Sequence, residues 1–385
     1  MNDEKNIIDE LIEIYNEDVE DNDASYGPFG YAFQADAGLI LFMKHFSEIT
    51  NVSIESRLQD IQMKKKNGNL ILAQAKSAQK PLKTSGEKAK LHDALFSLIK
   101  TNNNESDILI YVSNLRDPLK SNENNIFDLK ELNYNDLSID AEKNIKEQIT
   151  KIKDKLQSII SENKKSKQVI DKSKIILKHL ENLNYNNLYF LTIPNYFGDD
   201  KREKVIVDEI AKFLVNTMDY GFGLSVVMAE KVYKIWHEKV MFNSTVESTS
   251  QKKNINKDEL IWPLVVLFEK DIQPIVVQDI VDFEITESME IVIKHIADSE
   301  FLKLNNFQII HKILNDFNEF KKNKNPRGIS LEFIKNNWSK YSEIFNYLEH
   351  DNDIKKCVTM LFVYKVIENH YNIQKVLKGG NTNEN

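Results

Sequence analysis

Apolar residues recur along this chain in two rhythms, and the rhythm changes past its middle. In the amino-terminal part, short runs of strand length alternate with longer stretches of helical spacing. Ile54, Leu58 and the run Asp60-Ile61-Gln62-Met63 alternate apolar with polar. Lys66-Asn67-Gly68-Asn69 then supplies turn residues, Asn-Gly being the strongest short hairpin signal. Leu70-Ile71-Leu72-Ala73 is an apolar run ending in Gln74-Ala75-Lys76. Residues 52–54 predict a preceding strand, and 107–112 and 188–193 two buried ones. Helical spacing covers 31–46, 91–99, 140–183 (in two pieces broken near Glu162-Asn163) and 199–218, and an acidic-faced amphipathic helix is expected over 3–20.

From about residue 224 the spacing is helical, over 226–240, 260–268, 288–296, 307–320, 331–348 and 354–366. Residues 26–30 predict a turn, 77–90 a mobile basic loop and 243–257 a loop or linker, while 271–284 fits no one element. The expected organisation is an acidic helix over 1–23, an α/β domain with a mixed sheet flanked by helices over 24–223, and an all-α domain over 224–385.

Charge changes this picture locally rather than in sum. The formal net charge of −8 does not by itself suggest nucleic acid. Between Lys64 and Lys90, however, eight lysines stand with one acid, Glu87. Lysines in such a stretch, Lys64, Lys65, Lys80 and Lys83 among them, suit contacts to phosphates, which position a nucleic acid without reading its sequence. The one cysteine, Cys357, excludes an internal disulfide and a cysteine metal site. An acidic amino terminus without an apolar signal region, and apolar runs too short for a bilayer, point to a cytoplasmic protein without a membrane partner.

The candidate chemistry lies in the hairpin. On a strand Gln74 and Lys76 share a face, and pairing through the Asn67-Gly68 turn brings Asp60 level with Gln74. Asp60 could then give Mg²⁺ a charged ligand, and the Gln74 side chain and Ala75 carbonyl neutral ones. Lys76 could orient water or stabilise charge on a phosphate. The plain alternative is a solvated hairpin face. Glu55 could share a metal with Asp60, or orient Lys76 or Arg57. Gln34, within the first long helix, either reaches the site or meets solvent and backbone. His237, His295, His311, His350 and His370 stand singly without metal-binding spacing, and Trp236, Trp262 and Trp338 read as core or interface anchors.

Gly30-Tyr31-Ala32-Phe33-Gln34, then Glu55 and Asp60-Ile61, then Gln74-Ala75-Lys76, together resemble the PD-(D/E)xK, restriction-endonuclease-like superfamily. Within it they are most similar to the double-stranded-DNA nuclease domain of bacterial antiphage effectors. That resemblance implies Mg²⁺ (or Mn²⁺) held by Asp60 and Gln74, water attack on a phosphodiester assisted by Lys76, and Glu55 and Gln34 in support. Gln74 replaces the acid usual in the superfamily. A neutral ligand weakens divalent-cation binding, so the site would fill only with DNA phosphates or the enzyme would await activation. The helical carboxyl half resembles the nuclease subunit of Lamassu systems, which implies an SMC-like ATPase and an accessory subunit as partners and self-association of nuclease domains on activation. Alternatives are a cyclic-oligonucleotide-activated endonuclease of CBASS type and a non-catalytic DNA-binding or scaffold subunit.

Overall fold

A proline opens the first helix of the fold. In the computed structural model α1 spans Pro28–Lys44, and a proline at the first helical position loses nothing, because that N–H has no intrahelical partner. The turn expected over 26–30 is therefore already helix from residue 28. The structure describes residues 28–56, 59–78, 84–102, 104–115, 118–119, 129–162, 165–193, 199–218, 222–245, 254–267, 286–302, 307–322, 329–348, 352–370 and 373. The acidic helix expected over 3–20 and the segment 271–284 lie outside them.

After α1 come β1 (Ile49–Ile54), β2 (Ile61–Lys65) and β3 (Leu70–Lys76), an antiparallel meander. The second hairpin closes as its sequence demands. Gly68 has φ 91°, a left-handed conformation that glycine adopts without penalty, and the Lys65 N–H donates to the Asn69 carbonyl at 2.8 Å. Then follow α2 (Thr84–Thr101), β4 (Ile108–Ser113), β5 (Glu131–Asn133), α3 (Ile139–Glu162), α4 (Lys167–Glu181), β6 (Leu188–Thr192), α5 (Asp199–Asn216), α6 (Phe222–Thr245) and β7 (Ile255–Asn256). β4 runs parallel to β3 and β6 parallel to β4, completing a mixed seven-stranded sheet of order β5-β6-β4-β3-β2-β1-β7.

Central β3 is buried from Ile71 to Ala75, as expected of a strand covered on both faces. Toward one face α2, α3 and α4 bury Leu91, Leu95, Ile145, Ile152, Val169 and Ile176 with the strand residues Leu72, Tyr111 and Phe190. On the other, α1 lies close over the meander: a β-carbon at Gly38 would stand 2.5 Å from Ile54 Cδ1. Helix α6 packs on α1 and β1. Its Trp236, fully buried, meets the rings of Phe42 at 5.5 Å and Phe213 at 6.0 Å.

The chain forms two compact units, Met1–Phe213 with Phe222–Lys257, and Leu214–Gly221 with Asp258–Asn385. Helix α6, expected in the helical domain, thus belongs with the sheet, and so does β7, which lies inside the expected linker 243–257. Helical spacing says that α6 exists but not which core its apolar face joins.

In the second unit, α7 (Lys257–Leu267), α8 (Glu287–Leu302), α9 (Phe307–Lys321), α10 (Ile329–Asn337), a 3-10 segment (Trp338–Leu348) and α11 (Asn352–Glu368) succeed one another. Residues 331–348, expected as one helix, change at Trp338 from α to 3-10 geometry. Helix α11 touches α8, α9, α10 and the 3-10 segment and is buried almost continuously from Cys357 to Ile367, as befits a helix apolar all round. Trp236 and Trp262 are core residues, whereas Trp338 is half-buried. Among the described residues no helix is long and apolar enough to cross a membrane.

Candidate functional site

The register of β2 on β3 pairs Ile61 with Ala73 and Gln62 with Leu72, which sets Asp60 level with Gln74 just where β2 leaves the ladder. There the Asp60 side chain takes over as acceptor. Its Oδ2 receives the Ala75 N–H at 2.9 Å and, in a very short contact, the Gln74 Nε2. Gln34 reaches down from α1 and hydrogen-bonds the same carboxyl group. Because Gln34 Oε1 is buried without a partner, the amide N–H of Gln34 is the donor. Lys76, on the same face of β3 as Gln74, adds its positive charge.

The structure thus gathers Asp60, Gln74, Ala75, Lys76 and Gln34 in one place, at the end of β3 where its parallel neighbour β4 also ends. The Gln74 amide presents its nitrogen to Asp60, and Ala75 donates its N–H to the same carboxylate oxygen. Burial pushes the Asp60 carboxyl above its ordinary value. The Lys76 ammonium, the Ala75 N–H and the two glutamine amides oppose that shift without cancelling it.

Glu55 joins the group through the main chain. Its N–H donates to the Asp60 carbonyl at 2.6 Å, and its φ of 52° is left-handed. That conformation costs a non-glycine residue about 1 kcal/mol, and surrounding structure must hold it. Several groups do so. Ser56 Oγ donates to the Gln59 carbonyl at 2.8 Å. Buried Gln59 donates through Nε2 to the Ser97 carbonyl at 2.7 Å and to Thr101 Oγ1 at 2.6 Å, pinning the Asp60 loop to α2. Asn243 of α6 accepts the Ile54 N–H at 3.0 Å, and Asn254 accepts from Ser53 Oγ at 2.7 Å. Beyond Lys76, Asn114 accepts the Ala78 N–H at 2.9 Å and donates to the Ala78 carbonyl at 2.8 Å, a side-chain amide continuing the sheet.

Sequence reasoning missed these supporting residues. Gln59 and Asn114 carried a faint signal, a polar residue at a strand end beside a candidate acid and an asparagine closing an apolar strand. Asn243 and Asn254 carried none. Of the lysines expected on phosphates, Lys64 is exposed. Lys65 is a correction: alternation turns it to the opposite face, where it pairs with Glu48 at 2.8 Å and holds that carboxyl below its ordinary value. Lys80 and Lys83 lie outside the described residues.

The donor set suits a hard divalent cation only in one form. Among the described residues no three His, Cys, Asp or Glu side chains gather to hold a metal. Asp60, with the Gln34 amide beside it, instead suits a cation that keeps most of its own waters, as Mg²⁺ does. No family model, no curated protein and no solved structure matches this chain.

Proposed function

We propose that the sheet-containing unit hydrolyses phosphodiester bonds in double-stranded DNA with the help of Mg²⁺, on the plan of the restriction-endonuclease-like nucleases. One observation carries the reading: Asp60, Gln74, Lys76 and Gln34, from three elements of the chain, meet around one half-buried carboxyl group. The element order from α1 to β4, helix, antiparallel three-stranded meander, helix and parallel fourth strand, supports the same plan.

Asp60 would hold the cation, with the Gln34 amide steadying the carboxylate. When bound, Mg²⁺ supplies positive charge to phosphate oxygens and lowers the pKa of a coordinated water. The protein's own part is electrostatic and positional. Gln74 and the Ala75 N–H fix the orientation of the Asp60 carboxylate, and Lys76 brings a positive charge to the point where negative charge builds on phosphate. Lys64 stands exposed to meet a neighbouring phosphate.

The setting in bacterial defence, with an SMC-like ATPase and an accessory subunit, rests on the sequence resemblance. The second unit supports it over a cyclic-oligonucleotide receptor, being helical throughout its described residues. In that setting the helical unit restrains the nuclease until the complex assembles.

The test is cleavage of supercoiled plasmid by the full chain, alone and with the products of its neighbouring genes, with Mg²⁺ and with a chelator. Metal-dependent nicking is expected, stronger in the assembled complex. Lys76→Ala should lower the rate by about 10²-fold or more while leaving the circular dichroism spectrum unchanged. A Lys76→Ala protein as active as wild type would overturn the assignment. The Gln74 N–H on Asp60 favours a second reading, a DNA-binding module whose carboxylate is satisfied internally. Retention of plasmid in chelator, with no cutting in Mg²⁺ by chain or complex, would establish it in place of the nuclease.

A further inference from the structure

Helix α6 buries Ala229, Val232, Tyr233, Trp236 and Val240 within its own unit. Away from that face stand four large apolar side chains, Leu224, Val227, Ile235 and Phe242, exposed by 46, 65, 38 and 71 %. At 3.6 residues per turn these four fall on one stripe about 80° wide and about 27 Å long. Single exposed apolar residues are ordinary on a protein surface, but an aligned row of four is the mark of a binding surface. Lys231 and Glu238 stand within the row and Lys234 at its edge, all three exposed.

The chain carries a segment that fits this row in length, pattern and charge. Residues 3–20, outside the described residues, hold Ile8, Leu11, Ile12, Tyr15 and Val19 at helical spacing. As a helix they would span about 26 Å. An isolated helix of that length is marginal in water and gains most of its stability by packing an apolar face. The segment has eight acids against one base, Lys5. Asp9, Glu10 and Glu13 fall near its middle, as Lys231 and Lys234 fall near the middle of the row. Laid along α6 in either direction, it therefore sets acids against lysines. The tether is short. Pro28 opens α1, which packs on α6 with Asp36 3.6 Å from His237. From residue 20 to Pro28 the chain extends at most about 27 Å, enough to round a helix about 10 Å across. Held so close, the segment meets the row at a far higher effective concentration than a partner from solution.

We infer that residues 3–20 dock as an amphipathic helix along the exposed row of α6. Ile8, Ile12, Tyr15 and Val19 cover Val227, Ile235 and Phe242, and the acids midway along the segment lie over Lys231 and Lys234. The inference stands independently of the phosphodiesterase reading.

Cysteine cross-linking of the full chain, without DNA or metal, tests it. Ile12→Cys is combined in turn with Val227→Cys, Ile235→Cys and Phe242→Cys, and mild oxidation is followed on gels without reductant. A disulfide within the chain is expected, fastest with Ile235→Cys, since residues 12 and 235 both lie near the middle of their rows. Ile12→Cys with Ile175→Cys, an exposed position on α4, measures chance encounters, and wild type, whose Cys357 is buried, gives the background. Lys231→Glu with Lys234→Glu should slow the cross-link at Ile235→Cys by about fivefold, and adding Glu10→Lys with Glu13→Lys should restore it. Since Lys231 and Lys234 are exposed, their reversal does not threaten the fold. A cross-link no faster at position 235 than at 175, or a rate indifferent to the charge reversals, would overturn the proposal, whatever the outcome with plasmid. Cross-links formed only between chains would overturn it too and give the row to a second copy.

Discussion

Two ionisable side chains, one in each unit, the buried Lys365 and the half-buried Asp60, are treated in opposite ways. Lys365 of α11, 5 % exposed, meets the Asp298 carboxylate at 2.6 Å and lies 4.9 Å from the centre of the Phe301 ring. A full opposite charge and an aromatic face offset its desolvation. Asp60, by contrast, is met at contact distance by neutral groups: two side-chain amides and a main-chain N–H. Lys76 helps through its charge, yet burial still leaves the carboxyl above its ordinary value. Buried charge used for structure is paired off where it stands. Charge left short of compensation is where a cation or a reacting group gains most, and that is why Asp60 rather than Lys365 marks the candidate site.

The largest test of this contrast lies in the helical unit. Removing the counter-charge with Asp298→Ala takes the carboxylate from the buried Lys365 ammonium and should cost about 3 kcal/mol, whereas Lys365→Met, which keeps volume and removes the charge, should cost less than about 1 kcal/mol. Urea unfolding measures both. Equal losses would show that Asp298 is not what compensates the Lys365 charge.

In the sheet unit the support of Asp60 can be cut without touching it. Gln59→Leu removes the bonds to Ser97 and Thr101 and should cost about 2 kcal/mol. Plasmid cleavage should fall by more than the unfolded fraction explains, because the Asp60 loop loses its anchor. A loss of activity no larger than the loss of folded protein would limit Gln59 to a structural role.

The smallest effect is the most diagnostic. At ten times its dissociation constant Mg²⁺ should stabilise the sheet unit by about 1.4 kcal/mol, and Asp60→Asn should abolish that gain. The pH dependence has a definite sign. With its folded pKa raised above the ordinary 3.8, Asp60 favours the native state fully below its unfolded pKa, and that contribution disappears as pH rises through the folded value. Without metal, then, Asp60→Asn should gain on wild type as pH rises. With Mg²⁺ the ionised form is the one that binds, so the metal-induced stabilisation should grow over the same range. Thermal unfolding of both chains, with and without Mg²⁺, reads all of these outcomes.

Much of the site was legible because its parts are close in the chain. Alternation around Asn67-Gly68 specified the hairpin, and two-residue periodicity put Gln74 and Lys76 on one face with Asp60 opposite. What Gln74 does there was not legible, since an amide offers both an oxygen and a nitrogen and only its surroundings choose. Residues 77–90 misled for a related reason. Lysine, serine and glycine suggest a mobile loop, yet α2 begins at Thr84, buries Glu87 and sends Lys90 Nζ to the Ser77 carbonyl at 3.1 Å. Tertiary contacts there outweigh weak local preference.

By itself the sequence determined where most of the described strands and helices lie, the α/β-then-helical order and the pairing of Asp60 with Gln74. All of these depend on neighbours a few residues apart. The tertiary structure decided that α6 and β7 join the sheet, that Asn243 braces β1 from 189 residues away, and that Asp60 sits half-buried among neutral donors. Local periodicity records which face of an element is apolar. Which distant surface covers it is settled only when the chain closes on itself.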